Sequence, residues 1–435
     1  MQRRPEGSER LYVSAVIKTI GDPRIFKAKA LLWASSFDVF CCLDSNDFAD
    51  PYSKFDCLIA VGVKDQLEAN AGTAFGSLEE FCSQNPGWIT GFFGYDLKNE
   101  TEQLSSVNAD HVHFPDLYFF APQSLILIKG NKIEIIADDP HGVLLAIGSQ
   151  IDKPAKTQNA VTISSRFNKD EYLKTVGDIK EHIVRGDIYV TNFCQEFYAG
   201  NAILDPLQVF ETLNEISPAP FAAFLKWKDH YVISASPERF LAKRGNKLVS
   251  QPIKGTARRG KDMAEDEAIK QELRDQTKEQ QENVMIVDLV RNDLTRSAKQ
   301  GTVRTEELLG IYTFKQVHQM ISTVVSEIDE NVSPVTAIKK AFPMGSMTGA
   351  PKISAMQLME QYERTKRGVY SGAIGYFSPD GDFDFNVVIR TLLYNQSNKY
   401  LSFQAGSAIT FHADAEKEYE ECLLKVKAIR EVLGG

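Results

Sequence analysis

Short apolar runs divided by turn-forming residues occupy the first third of the chain, and this pattern predicts β-strands. The sharpest signal is Gly130-Asn131, a two-residue turn between two alternating segments that is typical of a β-hairpin. Helical periodicity interrupts the strands at 26–34 and 77–82. The predicted strands span residues 11–17, 37–43, 57–63, 88–95, 117–121, 124–128 and 132–136.

A polar stretch at 151–167 interrupts this pattern and predicts a linker between two regions, 1–160 and 161–435. Beyond it, the sequence Asn168–Glu171 reads as a capping box that opens an amphipathic helix, and Gly186 ends that helix. Two successive hairpins then indicate an antiparallel sheet. The predicted strands of this part span 188–199, 221–226, 231–236, 239–243, 247–252, 369–377, 383–393 and 401–409, and the predicted helices span 206–216, 262–296, a segment ending near 365, and 413–433.

The composition of the 435-residue chain is that of a globular protein, with 43% hydrophobic and 25% charged residues. Its 49 basic and 58 acidic residues argue against a nucleic acid partner, because binding a phosphate backbone needs clustered Lys and Arg. No apolar run is long enough to span a membrane and Met1–Arg10 lacks a signal sequence, so we expect a soluble cytoplasmic protein. The 6 cysteines have no metal-binding spacing and are expected to be reduced thiols.

Lys254 is the first candidate for chemistry, in the segment Gln251-Pro-Ile-Lys-Gly-Thr256 that follows the hairpins. A lysine beside a Gly-Thr turn is, taken alone, most often a solvated surface residue. Glu238 lies at the other margin of the same predicted sheet. The hairpin turns between the two residues allow both side chains to face one cavity.

Two pairs of glutamates recur with helical spacing. Glu279 and Glu282 are three residues apart, as are Glu418 and Glu421, so each pair shares one face of a predicted helix. A solvated acidic face is the ordinary explanation for such a pair. Two helices that each present a pair can also hold Mg²⁺, which binds carboxylates together with water and substrate oxygens.

Two features predict an anionic ligand. The loop 341–352 runs into a helix whose first backbone N–H groups favour an anion. It is not a nucleotide P-loop, because Pro351 precedes the lysine and Ile353 replaces the Ser or Thr that binds magnesium. Arg390 lies among apolar neighbours in a predicted strand, where a guanidinium meets either an anionic ligand or a core carboxylate. A carboxylate-bearing ligand fits these features better than a triphosphate.

Several long motifs stand in a fixed order along the chain. They are SPERF at 236–240, PIKGT at 252–256, ENVMIVDLVRND at 282–293, SMTGAPK at 346–352, RGVY at 367–370 and EYEE at 418–421. Together they resemble the chorismate-utilising enzymes, the family of anthranilate synthase component I and aminodeoxychorismate synthase component I, over roughly 167–433. The resemblance implies an α/β (α+β) fold in which antiparallel β-sheets pack face to face with helices outside, and an active site between them.

The resemblance also implies a role for each candidate residue. Lys254 would attack C2 of chorismate while Glu238 protonates the departing C4 hydroxyl, and ammonia would then add at C4 and expel the lysine. The implied Mg²⁺ ligands are Glu279, Glu282, Glu418 and Glu421. The implied substrate contacts are His318, Thr348, Tyr370, Arg390, Gly406, Ala408 and Lys425. For His318, which lies between apolar neighbours, a hydrogen-bonded core histidine is the alternative.

Lys254 separates the branches of this family. Anthranilate synthases resemble PIAGT at this point, with alanine in place of the lysine, whereas the aminodeoxychorismate enzymes carry the lysine. The implied product is therefore 4-amino-4-deoxychorismate, the precursor of p-aminobenzoate and folate. Two departures from the family pattern affect the expected substrate geometry: Met344 replaces a glycine, and Ala408 replaces the last glycine of Ala-Gly-x-Gly.

Ammonia in this family comes from a separate glutamine amidotransferase subunit, and the sequence shows no glutaminase motif of its own. The resemblance therefore implies a heterodimer with such a subunit. The alternatives are anthranilate synthase component I, an isochorismate or salicylate synthase in which water is the nucleophile, and a non-catalytic protein of this fold that binds a small acid.

Overall fold

A computed structural model describes residues 14–151, 160–315 and 317–434. The strands are β1 (Ser14–Thr19), β2 (Val39–Asp44), β3 (Cys57–Ala69), β4 (Ile89–Phe93), β5 (Leu117–Lys129), β6 (Lys132–Ala137), β7 (Ser164–Ser165), β8 (Val190–Ala199), β9 (Phe221–Trp227), β10 (His230–Ser236), β11 (Arg239–Arg244), β12 (Lys247–Gln251), β13 (Ile253–Arg258), β14 (Arg304–Thr313), β15 (Val317–Glu327), β16 (Gly349–Ala350), β17 (Ala373–Phe377), β18 (Phe383–Asn386), β19 (Thr391–Asn395) and β20 (Tyr400–Thr410).

The helices are α1 (Pro23–Ala34), α2 (Ala74–Gln84), α3 (Lys98–Thr101), α4 (Pro140–Gly148), α5 (Lys169–Arg185), α6 (Pro206–Ile216), α7 (Met263–Asp275), α8 (Thr277–Thr295), α9 (Pro334–Ala341), α10 (Lys352–Tyr362) and α11 (Ala415–Val432). Two 3-10 turns accompany them, at Tyr95–Leu97 and Gly345–Met347. None of the described helices is long and apolar enough to cross a membrane.

Antiparallel pairing connects strands from the whole length of the chain. One series of neighbours runs β8–β20–β19–β10–β9–β2–β3–β5, and a second runs from β5 through β4, β17, β18, β11, β12 and β15. Strands that precede and follow residue 160 are direct neighbours, since β2 pairs with β9 and β4 pairs with β17. The expected fold class, helices with antiparallel sheets, is confirmed, while the division into 1–160 and 161–435 stays a description of the sequence.

Two apolar cores lie against these sheets, and α5 begins and ends where the sequence indicates. One core contains α8 and α9, and the other contains α1, α5, α6 and α11. Asn168 and Glu171 form the predicted capping box at the start of α5, and Gly186 ends that helix in the left-handed conformation, with φ of 86°. The cysteines at 41, 42, 57, 82, 194 and 422 are free.

Two predicted elements prove to be divided. The predicted helix 262–296 consists of α7 and α8, because Gln276 adopts an extended conformation with ψ of 105°. The predicted strand 383–393 consists of β18 and β19, and Arg390 in the break has a left-handed φ of 51°. Residues 11–13 of the first predicted strand, and 152–159 of the predicted linker, lie outside the described residues.

Candidate active site

Glu238 is a buried carboxyl surrounded by positive charge. It lies between β10 and β11 and is only 5% exposed. Burial raises the pKa of Glu238 to about 7. Smaller effects lower that pKa, and they come from the Ser346 hydroxyl and from the charges of Lys254, Lys425 and Arg390. A carboxyl that titrates near neutrality can act as a general acid, so the sheet brings the predicted acid and the predicted nucleophile into one site.

Lys254 and Arg390 are basic side chains without a carboxylate partner. Among the described residues, neither side chain makes an ion pair or a hydrogen bond. Burial lowers the pKa of Arg390, and the charges of Glu238 and Glu421 offset only part of that effect. The Arg390 carbonyl accepts a hydrogen bond from the Ala235 N–H at 3.2 Å, which ties the left-handed break to β10. Both residues are half-buried, and because charges removed from water are normally paired, these two side chains indicate an anionic ligand.

Gly255 allows the PIKGT segment to approach the first pair of glutamates. Its φ is +89°, and a Cβ at this position would lie 3.2 Å from Oε2 of Glu279 and 3.3 Å from Cβ of Met320. The register of β13 on β15 also shifts between Ile253 and Thr256, as at a β-bulge. A side chain at position 255 would therefore be both strained and crowded, and the motif keeps Lys254 beside the acidic helix.

The four predicted metal ligands lie close enough to influence one another. Burial raises the pKa of Glu279, and the nearby carboxylate of Glu282 raises that pKa further. Burial likewise raises the pKa of Glu418, with a further contribution from Glu421. Between the helices, Glu421 also raises the pKa of Glu279 and Glu282 raises that of Glu418, so the pair on α8 and the pair on α11 form one acidic cluster.

Two lysines of the protein compensate this cluster. Nζ of Lys278 lies 3.4 Å from Oε1 of Glu418 and 3.7 Å from Oε1 of Glu282. Nζ of Lys425 lies 2.7 Å from Oε1 of Glu421 and donates to the Gly406 carbonyl at 2.8 Å. Burial acts to raise the pKa of Glu421, but Lys425 and more distant lysines outweigh it, and the pKa is lowered.

The donor chemistry of the cluster fits Mg²⁺. Carboxylate oxygens are the ligands this ion prefers, and the mutual repulsion of the four groups favours a cation between them. Within the described part of the chain, no three acidic, histidine or cysteine groups are arranged to hold a metal ion. The implied Mg²⁺ site therefore stays a prediction, supported by the type and convergence of the four carboxylates.

The remaining predicted substrate-binding residues differ in the hydrogen bonds that they already make within the protein. Tyr370 is buried, and the one hydrogen-bonding contact of its hydroxyl within the described part of the chain is with the Cys194 sulfur, at 4.0 Å. Thr348 donates to the backbone carbonyls of Met344 and Gly345 at 3.3 Å, within the loop that carries it. His318 is fully buried, and both ring nitrogens are hydrogen bonded, one to Thr313 at 3.0 Å and one to Asp266 at 2.9 Å. His318 thus has the arrangement of a hydrogen-bonded core histidine.

Gly406 and Ala408 lie in β20 opposite β8. A Cβ on Gly406 would come within 2.6 Å of the Cys194 sulfur and 2.7 Å of Nδ2 of Asn192, so any other residue there would displace these side chains. Ala408 pairs in regular register with Asn192 and is not among the residues with positive φ. The alanine at this departure from the family pattern is therefore unstrained.

Three residues of interest escaped the sequence interpretation. Lys278 had a usable signal, since it precedes Glu282 by four residues on one helix. Ser346 and Gln319 are buried, and neither the Ser346 hydroxyl nor Oε1 of Gln319 has a hydrogen-bond partner among the described residues. No sequence pattern reveals an unpaired buried polar group, because its neighbours come from distant segments.

Comparison with known proteins gives consistent matches over most of the chain. The family model for chorismate binding enzymes matches residues 40–431. Aminodeoxychorismate synthase component 1 of Bacillus subtilis is 32% identical over 80% of this chain and 77% of its own length. Aminodeoxychorismate synthase of Streptomyces griseus is 36% identical over 80% of this chain, and the chain spans 50% of that longer relative.

A solved structure supports the same assignment. Anthranilate synthase component I from Streptococcus pneumoniae superimposes with a TM-score of 0.77 at 25% identity, over 88% of this chain and 93% of that one. The architecture described above is thus the fold of anthranilate synthase component I. The chain belongs to the chorismate binding enzyme family.

Proposed function

We propose that this chain is the chorismate-aminating component of an aminodeoxychorismate synthase. The observation that carries the proposal is the pairing of an unpartnered amine, Lys254, with a buried acid, Glu238, whose pKa of about 7 allows it to hold a proton near neutrality. A lysine nucleophile and a proton donor are what amination through a covalent adduct requires. The named relatives with this activity agree with the proposal.

Binding begins at the guanidinium of Arg390, which makes no ion pair among the described residues. Chorismate carries two carboxylates, and the guanidinium of Arg390, with the Tyr370 hydroxyl, would receive the carboxylate of the enolpyruvyl group. An incoming carboxylate gives the half-buried guanidinium the counter-ion it lacks. His318 is left out of this binding scheme, because Thr313 and Asp266 already engage both of its nitrogens.

The chemistry replaces the C4 hydroxyl by an amino group. The neutral amine of Lys254 forms a bond to C2 while Glu238 donates its proton to the C4 oxygen, which leaves as water as the ring double bonds shift. Ammonia then bonds to C4, the double bonds shift back, and the C2–N bond breaks to release Lys254. The Glu238 carboxylate accepts a proton from the new ammonium group, so chorismate and ammonia give aminodeoxychorismate and water.

The metal and the partner complete the proposal. Mg²⁺ held by Glu279, Glu282, Glu418 and Glu421 would supply Lewis-acid polarisation of the ring through its second carboxylate. Ammonia would come from a glutamine amidotransferase subunit, in keeping with the "component 1" designation of the Bacillus subtilis relative.

Product identity tests the proposal directly. The purified chain is incubated with chorismate, Mg²⁺ and an ammonium salt at several pH values. The total ammonium is adjusted at each pH so that the concentration of free ammonia stays constant. We expect aminodeoxychorismate, measured as p-aminobenzoate after addition of the lyase that acts on it. Reactions without ammonium or without Mg²⁺ are the controls. Anthranilate as the main product would instead identify an anthranilate synthase, and isochorismate or salicylate would identify water as the nucleophile.

A further inference from the structure

Ser346 presents a buried hydroxyl beside the carboxyl of Glu238. Ser346 is 7% exposed, and its hydroxyl oxygen has no hydrogen-bond partner of regular geometry among the described residues. The hydroxyl nevertheless lies beside the carboxyl of Glu238 and lowers the pKa of that group against the larger opposing effect of burial. Buried polar groups are nearly always satisfied, so an unpaired hydroxyl next to a general acid points to a bond made during turnover.

The backbone that carries Ser346 is held in place. The turn Gly345–Met347 packs on α8, where a Cβ on Gly345 would lie 3.1 Å from Cβ of Leu289. Nζ of Lys352 lies 2.6 Å from Asp293 on the same helix and donates to the Pro343 carbonyl at 2.8 Å, which closes the loop. The backbone at position 346 is therefore fixed by contacts of the residues before and after it.

The groups that face Glu238 come from four parts of the fold. Lys254 comes from β13, Lys425 from α11, Arg390 from the break before β19, and Ser346 from the 3-10 turn. The three cations attract a carboxylate from a distance, whereas Ser346 offers a short, directed O–H donor. A donor of this kind binds the carboxylate more strongly than the neutral acid.

We propose that Ser346 is a positioning residue that donates a hydrogen bond to Glu238 as that carboxyl gives its proton to the departing ring hydroxyl. Ser346 keeps its own proton throughout, and the only proton transferred is that of Glu238, which leaves with the oxygen as water. The hydrogen bond strengthens as negative charge develops on Glu238, so it stabilises the transition state more than the ground state. This inference rests on the proposed function, because it assigns Ser346 a part in the acid step.

The test compares Ser346→Ala with Ser326→Ala. Ser326, on β15 opposite Leu248, is a second buried hydroxyl without a partner, and it is not among the groups that act on Glu238. We expect Ser346→Ala to lower kcat about 10-fold, less than the 10²–10³ of a single oxyanion donor because three cations remain. KM for chorismate should stay within about two-fold, because the lost bond belongs to the transition state. Ser326→Ala should match the unsubstituted protein.

The pH profile separates a role in acid catalysis from a structural one. The protonated form of Glu238 is lost as pH rises through its pKa, and that loss gives the alkaline limb of kcat. Without Ser346 the pKa of Glu238 rises, so the limb should move to higher pH, by about one unit. Thermal unfolding of Ser346→Ala should occur at or above the temperature of the unsubstituted protein, since the lost hydroxyl had no partner.

Each outcome decides the inference. An unchanged kcat, an equal loss of rate at every pH, or unfolding of Ser346→Ala would each overturn the role of Ser346. If the unsubstituted chain makes no aminodeoxychorismate, the proposed function fails first. Activity of the unsubstituted chain with no effect of Ser346→Ala refutes only this inference.

Discussion

Among the described residues, Lys254 and Arg390 form no ion pair, whereas Glu282, Glu418 and Glu421 of the same site are paired with lysines of the protein. An anion that binds at Lys254 and Arg390 displaces no ion pair of the protein. A metal ion that binds the carboxylates must first displace an ammonium group from them. We therefore expect substitutions of Lys254 and Arg390 to affect turnover more than substitutions of the lysines that pair with the carboxylates.

The largest effect should come from Lys254→Ala. Loss of the amine removes the covalent route, and we expect kcat for aminodeoxychorismate to fall by about 10³-fold or more, as for other nucleophiles. Stability should change little, because the Lys254 side chain makes no ion pair or hydrogen bond among the described residues. Product formation from chorismate and ammonia, with thermal unfolding measured in parallel, checks both expectations.

Lys254→Arg provides the matched control for that experiment. The guanidinium keeps the positive charge but stays protonated, so it cannot attack C2. If Lys254 acts as a nucleophile, both variants are inactive. If Lys254→Arg retains substantial turnover, the residue acts through its charge alone, and the covalent route is wrong.

How far the site could be predicted depends on the kind of signal each residue gives. The spacing of Glu279 and Glu282 fixes a shared helix face, so their convergence with the second pair could be anticipated. The sequence predicts Arg390 within a strand, because an arginine in the left-handed conformation has no sequence signature. The sequence does not predict which way the His318 side chain points. Alternation of polar and apolar residues assigns the side chains of a strand to two faces, but it does not say which face meets the ligand. The sheet pairing decides that, and it depends on segments far apart in the chain.

Arg390→Gln should have the next largest effect. A hydrogen-bonded contact to a charged group contributes about 1.5–3 kcal/mol, so we expect KM for chorismate to rise roughly 10- to 150-fold. The free energy of unfolding should stay the same or increase, because the variant removes a half-buried charge that makes no ion pair among the described residues. Steady-state kinetics and denaturant unfolding measure the two quantities.

Arg239 provides the control for the stability of Arg390→Gln. This residue is 1% exposed, and it forms ion pairs with Asp50 and with Asp384, the latter at 2.9 Å. Arg239→Gln leaves Asp50 without its guanidinium and Asp384 with Arg244 alone, and it should lower the free energy of unfolding by about 3–5 kcal/mol. A similar loss of stability in Arg390→Gln, or an unchanged KM, would show that Arg390 serves the fold and not the ligand.

The smallest effect should come from Lys278→Met, which keeps the length of the side chain and removes its charge. Lys278 is 52% exposed, and pairs of this kind contribute about 0.2–1 kcal/mol, so Mg²⁺ should bind up to about five-fold more tightly without the competing ammonium. Calorimetric titration without chorismate measures this affinity independently of turnover.

Glu421→Gln should change the Mg²⁺ affinity in the opposite direction, because a carboxylate ligand is lost. Weaker binding in Lys278→Met would mean that the lysine helps to gather the carboxylates, and the proposed competition between ammonium and metal would then be wrong.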